Sequence, residues 1–162
     1  MDCTHIQFCA QKSKINLDQL QALFNLAAFW AQERTIEDLE IAIANSEPAI
    51  SVWDGEQMIG FARATSDGIY RATIWDVVIH PDYCGAGLGS KLVEAVLSHP
   101  CVNRVERVYL MTTHQQRFYE RIGFQHNQTT TMVLHNSHPA NLLPIPGQQL
   151  QQVLVESNTV TA

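Results

Sequence analysis

Positive charge is scarce in this chain. Ten Lys plus Arg against sixteen Asp plus Glu leave a net charge of −6, so the field of the whole molecule repels polyanions and attracts cations. Nucleic acid is thereby a poor partner and a cationic amine a better one. Cysteine is sparse as well: Cys3, Cys9, Cys84 and Cys101 make no C-x-x-C pair. A chain of 162 residues buries a core without disulfide staples, which points to a reducing, cytoplasmic setting. Long apolar runs are missing. The most apolar window, residues 22–31, is broken by Asn25, and the opening Met1-Asp2-Cys3-Thr4-His5 has no basic stretch leading into an apolar one. Neither a membrane span nor a signal peptide is expected. Only 16% of residues are charged while 46% are hydrophobic, the mixture of one globular domain rather than of a disordered chain.

Periodicity supplies the elements. Ile6 and Phe8 alternate with polar neighbours, which predicts a strand over residues 4–9. Asn16 with Gln19, and Thr35 with Asp38, read as capped helix starts. Leu20, Leu23, Phe24, Ala27 and Ala28 carry the first helix to about residue 31, and Ile36, Leu39 and Ile43 carry the second to about Asn45. Asp54-Gly55 and Asp67-Gly68 punctuate three β-rich runs, the last being Ala72 to Ile79 before His80-Pro81-Asp82, so an antiparallel meander is expected. Leu88, Leu92, Val93, Val96 and Leu97 share one face of a third helix. A strand over Arg107 to Met111, a helix over 115–122 stopped by Gly123, and a strand over Thr129 to Leu134 complete the order β α α β β β α β α β. Residues 127–162 hold one charged residue, Glu156, and predict an arm over 135–162 that packs on the domain or a partner, or stays partly disordered.

The segment Trp75-Asp76-Val77-Val78-Ile79-His80-Pro81-Asp82-Tyr83-Cys84-Gly85-Ala86-Gly87-Leu88-Gly89-Ser90-Lys91 carries the most chemistry. Alternate glycines before a helix N-terminus let main-chain N–H groups face an anion without side-chain obstruction. The alternative is a tight turn that merely packs the helix on the sheet. A Walker loop needs Gly-Lys-Ser/Thr, whereas Lys91 follows Ser90 and precedes Leu92. A dinucleotide fingerprint starts at the strand end, whereas five residues, His80 to Cys84, intervene here.

Cys84-Gly85-Ala86-Gly87-Leu88-Gly89 resembles the acetyl-CoA loop Gln/Arg-x-x-Gly-x-Gly/Ala of the GCN5-related N-acetyltransferases (GNAT). Tyr119-Glu120-Arg121-Ile122-Gly123-Phe124 is similar to that family's later signature, and the element order over residues 4–134 agrees. Ile74-Trp75-Asp76-Val77-Val78 before Pro-x-Tyr resembles the cyanobacterial and chloroplast branch, to which serotonin N-acetyltransferases belong. The resemblance implies an α+β (α/β) GNAT fold over residues 1–134: a mixed, mostly antiparallel sheet of six to seven strands, splayed near Ile79 and flanked by four helices. It implies transfer of acetyl from acetyl-CoA to a primary amine, most simply a small arylalkylamine. A protein N-terminus or lysine is the second acceptor class, and a non-catalytic acyl-CoA-binding module the competing reading. It also admits a homodimer.

What the resemblance implies for residues is specific. Acetyl-CoA would lie where the strand of Val77, Val78 and Ile79 parts from that of Val108 to Met111, with its diphosphate on the amides of Gly85, Ala86, Gly87, Leu88, Gly89 and Ser90. Cys84 replaces the usual Gln or Arg, and Thr112 stands where many members have an Asn on the pantetheine arm, keeping a hydroxyl. The Val78 N–H is the expected oxyanion donor. Tyr119 would protonate the leaving thiolate; a phenol near ~10 against a thiol near ~8.5 costs roughly 2 kcal/mol. Asp76 near ~3.9 against an ammonium near ~10.4 faces about 9 kcal/mol, so it serves only if burial raises its pKa, if water relays the proton, or if it binds the cation, or else it simply bonds a neighbouring strand or loop. Trp75 would stack on an aromatic amine, or else is a core Trp. His80 and His114 flank the cleft, although each reads equally as a loop histidine. His135-x-x-His138 lacks partners for a metal, and none is expected.

Overall fold

The computed structural model of the chain describes residues 5–129 and 131–133. Two helix starts form through the side chains that the sequence singles out. Asn16 Oδ1 accepts the Gln19 N–H (3.0 Å) at the head of α1 (Leu17–Ala27). Thr35 Oγ1 accepts the Asp38 N–H (3.1 Å) at the head of α2 (Ile36–Ala44). Each bond satisfies a first-turn donor that has no partner within its helix. α1 stops at Ala27 rather than near residue 31, because the Ala28 backbone leaves the helical region at φ −127° and the chain passes into a turn.

The strands β1 (Ile6–Cys9), β2 (Ala49–Asp54), β3 (Gln57–Ser66), β4 (Arg71–Ile79) and β5 (Arg107–Tyr109) lie in sequence order in one sheet. The first three pairings are antiparallel and β4–β5 is parallel. Parallel pairing requires a crossover, which α3 (Leu88–Ser98) provides. The β3–β4 turn is closed by Asp67, whose Oδ1 accepts the N–H groups of Ile69, Tyr70 and Arg71; these bonds, that of Arg71 first, hold its carboxyl below the ordinary value. α4 (Gln116–Ile122) ends at Gly123, whose φ of 108° returns its N–H to Glu120.

The sheet separates two cores. α3 buries Leu88, Leu92, Val93 and Val96 on one face against Ala62, Ala64, Ala72 and Ile74. α1 and α2 bury Leu20, Leu23, Phe24, Leu39 and Ile43 on the other against Phe61 and Val78. Each such aliphatic or aromatic side chain contributes about 1.5–3 kcal/mol on burial.

Two expectations require correction. The described residues hold five strands rather than six or seven, and no strand covers residues 131–133 of the run predicted over Thr129 to Leu134. β-Branched composition expresses a fit to a pleated surface and does not by itself supply a partner strand. Thr130, Leu134 and the arm over 135–162 lie outside the described residues, as do His135 and His138. The compact unit that carries the site runs to Gln125.

Candidate active site

The β4–β5 pairing lasts for only three residues, Arg71↔Arg107, Ala72↔Val108 and Thr73↔Tyr109, while β4 continues to Ile79. The sheet therefore opens along the second half of β4. A bulge lies at the mouth of the opening: Phe61 pairs with Val78 and Arg63 with Trp75, so one residue of β3 faces two of β4. Asp76 takes up the extra length at φ 56°, a left-handed conformation that Asp adopts more readily than most residues. Beyond the bulge, the His80 N–H donates to the Ile59 carbonyl (2.7 Å). By antiparallel alternation, this puts the Val78 N–H on the β3 side. The N–H groups of Val77 and Ile79 point the other way, toward the opening. The donor role expected of Val78 thus fits Val77 or Ile79 better.

The glycine loop meets this strand end. Gly85 (φ 83°) and Gly87 (φ 78°) are both left-handed, with nothing within 4 Å of where a Cβ would sit. Gly87 is the N-cap of α3, with no side-chain cap and no acidic residue in the first turn. The first intrahelical bond is Lys91 N–H to Gly87 O, so the amides of Leu88, Gly89 and Ser90 have no partner within the helix. A Cβ on Gly89 would lie 3.4 Å from Phe118 Cζ and 3.9 Å from Ile79 Cγ1. The α3 N-terminus, the end of β4 and α4 therefore converge. Tyr119, next to Phe118 on α4, packs edge-on against Phe118 (4.8 Å) and Phe124 (5.9 Å), and burial pushes its phenol pKa up. Donor-rich backbone and open loop space fit an anionic diphosphate.

Comparison with known proteins decides the family. A family model described as an acetyltransferase (GNAT) domain matches residues 37–126, just over half of the chain. The chain belongs to the GNAT family. The Gracilaria tenuistipitata var. liui protein named "Uncharacterized N-acetyltransferase ycf52" is 38% identical over 117 residues, which cover 69% of this chain and 63% of that protein, less than two thirds of its length. The Arabidopsis thaliana protein "GCN5-related N-acetyltransferase 1, chloroplastic" is 31% identical over 113 residues, covering 68% of this chain and 56% of its own. That name falls within the cyanobacterial and chloroplast branch that the Ile74 to Val78 motif resembles. A solved GNAT-family acetyltransferase from Streptococcus pneumoniae TIGR4 superposes with a TM-score of 0.68 at 25% identity, over 82% of this chain and 99% of that one.

Within this GNAT domain the remaining candidates divide. Thr112 Oγ1 accepts the Gln115 N–H (3.1 Å) ahead of α4 and keeps its own hydrogen to donate. Cys84 is exposed, its thiol turned back on the His80 carbonyl. His80 Nδ1 accepts the Asp82 N–H, and His114 is exposed. Trp75 donates its indole N–H to Thr65 Oγ1 (2.9 Å), and the Arg63 guanidinium lies 6.0 Å from its ring centre. Both bind Trp75 into the sheet face. Among the described residues no helix is long and apolar enough to cross a membrane, and no three His, Cys, Asp or Glu side chains gather to hold a metal ion.

Asp76 is held most firmly. Its side chain is 4% exposed, and Oδ2 receives both Arg63 Nε (2.7 Å) and Arg34 Nη1 (2.8 Å). Burial pushes its carboxyl pKa upward, but the Arg34 hydrogen bond and the two guanidinium charges outweigh that, and the net direction is downward. A base activated by a raised pKa is thus opposed by the geometry, and the cation-binding route already has two cations of the chain's own. Arg34 and Arg63 carry no motif and escaped the sequence reading. Their only signal is that a buried carboxylate demands a cationic partner.

Proposed function

We propose that this chain transfers acetyl from acetyl-CoA to a primary amine, with a small arylalkylamine as the acceptor. The observation that supports it best is the convergence of the left-handed glycine loop, the opening of β4 and the α4 tyrosine. In this reading the amides of residues 85–90 hold the diphosphate, and the free edge of Val77 to Ile79 receives the pantetheine arm, with Thr112 beside it. The amine nitrogen attacks the thioester carbonyl. The oxyanion takes a hydrogen bond from the Val77 or Ile79 N–H, and the C–S bond then breaks as Tyr119 delivers its proton to the leaving sulfur, while the amine gives its proton to water. Oxyanion donors of this kind are worth about 10²–10³ in rate. The raised phenol pKa widens the gap to a thiol near ~8.5, so transfer is assisted by the hydrogen bond as charge develops rather than complete beforehand.

The net charge of −6 and the exposed aromatics Phe29 and Trp30 on the α1–α2 connection support a cationic, aromatic acceptor. Incubating the protein with labelled acetyl-CoA and separate panels of arylalkylamines, peptide N-termini and lysine peptides tests the reading. Label is expected on the arylalkylamines. Label on peptides alone would move the acceptor to protein, and acetyl-CoA binding with no transfer to any amine would leave a sensing module. A cytoplasmic setting, as cysteine usage implies, belongs to the same proposal.

A further inference from the structure

We infer that Arg34 is a positioning residue for the acceptor side of the cleft: through Asp76 it latches the α1–α2 connection onto the β4 bulge. This rests on the acetyl-transfer reading and adds to it the part that holds the acceptor's wall in place. The argument begins with charge. Arg63 is two residues beyond Phe61 on β3, on the α1/α2 face, and its Nε at 2.7 Å already balances the Asp76 carboxylate. Arg63 is itself fixed at its other end, donating from Nη1 to Ser46 Oγ (3.0 Å), and Ser46 donates onward to the Ala42 carbonyl. The pair is complete without Arg34.

Arg34 is therefore surplus to neutralisation, and it brings a separate segment. Its guanidinium reaches Asp76 Oδ2 at 2.8 Å and lies 5.4 Å from the centre of the Phe24 ring, and its carbonyl accepts Gln21 Nε2 at 2.9 Å. One residue thus ties the end of the connection to α1 and to β4 together. Between the Ala28 exit of α1 and Arg34, the chain is also held by the buried Ala31, by the turn bonds of the Ala31 N–H to the Ala28 carbonyl (2.9 Å) and the Arg34 N–H to the Ala31 carbonyl (3.4 Å), and by Gln32 Nε2 on the Asn25 carbonyl (3.3 Å). That stretch carries Phe29 and Trp30, 66% and 49% exposed and packed edge-on at 5.1 Å. Two large rings left in water next to a segment bolted to the bulge suit an aromatic acceptor group. A long, flexible Arg side chain costs entropy to immobilise, and its planar fork suits a fixed carboxylate better than an ammonium does.

The test uses the full chain with Arg34→Gln, Arg34→Lys, Asp76→Asn and the double variant Arg34→Gln/Asp76→Asn, with 2-phenylethylamine as the probe amine. Arg34→Gln is expected to raise KM for the amine about tenfold or more while kcat and KM for acetyl-CoA stay within about threefold, the signature of lost ground-state positioning. Arg34→Lys recovers part of the loss, the double variant is no worse than the poorer single one, and the shape of the pH–rate profile is kept. Hydrogen exchange supplies a readout independent of turnover: amides of residues 28–35 exchange faster in Arg34→Gln while β2 and β3 do not change. Equal losses for both substrates, or additive losses in the double variant, would overturn the latch. So would loss of the acidic limb of the profile in Asp76→Asn, since Asp76 would then take a proton. If no amine is acetylated by the wild type, the function falls, and exchange alone decides the latch: faster exchange at 28–35 sustains it and unchanged exchange removes it.

Discussion

Replacing Gly87 with alanine isolates what the loop backbone contributes. Gly87 sits at φ 78°, ψ 1°, with open space where the new Cβ would go, so the substitution adds no clash and its cost is conformational. An L residue in the left-handed region costs about 1–2 kcal/mol. That cost must surface in one of two places. If the free loop keeps its conformation, stability falls and Tm drops by about 2–4 °C per kcal/mol, with acetyl-CoA affinity unchanged. If the free loop relaxes, Tm is kept, and binding must restore the strained backbone, weakening Kd by about 5- to 30-fold. The two losses sum to the same 1–2 kcal/mol, which calorimetric titration with acetyl-CoA and scanning calorimetry of one sample resolve together. Gly89→Ala is the control: its backbone has no positive φ, its Cβ would meet Phe118 at an ordinary contact distance of 3.4 Å, and alanine favours the helix by up to about 1 kcal/mol over glycine. Unchanged Kd and Tm for Gly87→Ala, or a larger loss of affinity for Gly89→Ala, would refute the account of the loop.

Tyr119→Phe keeps the ring contacts with Phe118 and Phe124 and is expected to lower kcat about 10²-fold with little change in acetyl-CoA affinity; steady-state kinetics beside a binding titration checks this. Because burial raises the Tyr119 pKa, the folded chain keeps that proton where the unfolded chain releases it, so its part in stability is whole below about pH 10 and is lost as pH rises further. The Asp76 carboxyl has the opposite sign: its folded pKa lies below 3.8, so its contribution is present above that value and fades as pH falls through the acid range. Denaturant midpoints at pH 7, 4 and 3 should therefore bring the wild type and Asp76→Asn together as acid is added. Leu92→Ala empties a fully buried position of α3 and is expected to cost about 2–5 kcal/mol in equilibrium unfolding.

Local signals were legible and long-range ones were not. Asn16 and Thr35 cap the helices they precede, because a cap needs only residues three apart. Gly85 and Gly87 take the positive φ that only glycine adopts freely, so spacing alone announced the loop. The bulge left no such trace. It depends on β3 and β4 differing by one residue between two pairings, and the run Ala72 to Ile79 reads as regular either way. Arg34 lies in a connection 42 positions before Asp76, and nothing nearby in sequence hints at their meeting. β5 stops at Tyr109 rather than Met111 because its pairing with β4 ends at Thr73, a tertiary fact that β propensity does not encode.

The unpaired residue in β4 also sets how this stretch can change in length. Before it, Ala72 and Ile74 face α3; after it, Val77 and Ile79 do, while Val78 faces α1 and α2. Deleting Asp76 would make the ladder regular and still leave Val77 and Ile79 toward α3 and Val78 toward α1 and α2, whereas deleting one residue from the regular stretch before it would turn every later side chain to the opposite face. Surveys of viable length variants should therefore find one-codon deletions better tolerated in folding at the bulge, where they remove Asp76 and its contacts with Arg34 and Arg63, than in the regular ladder on either side of it.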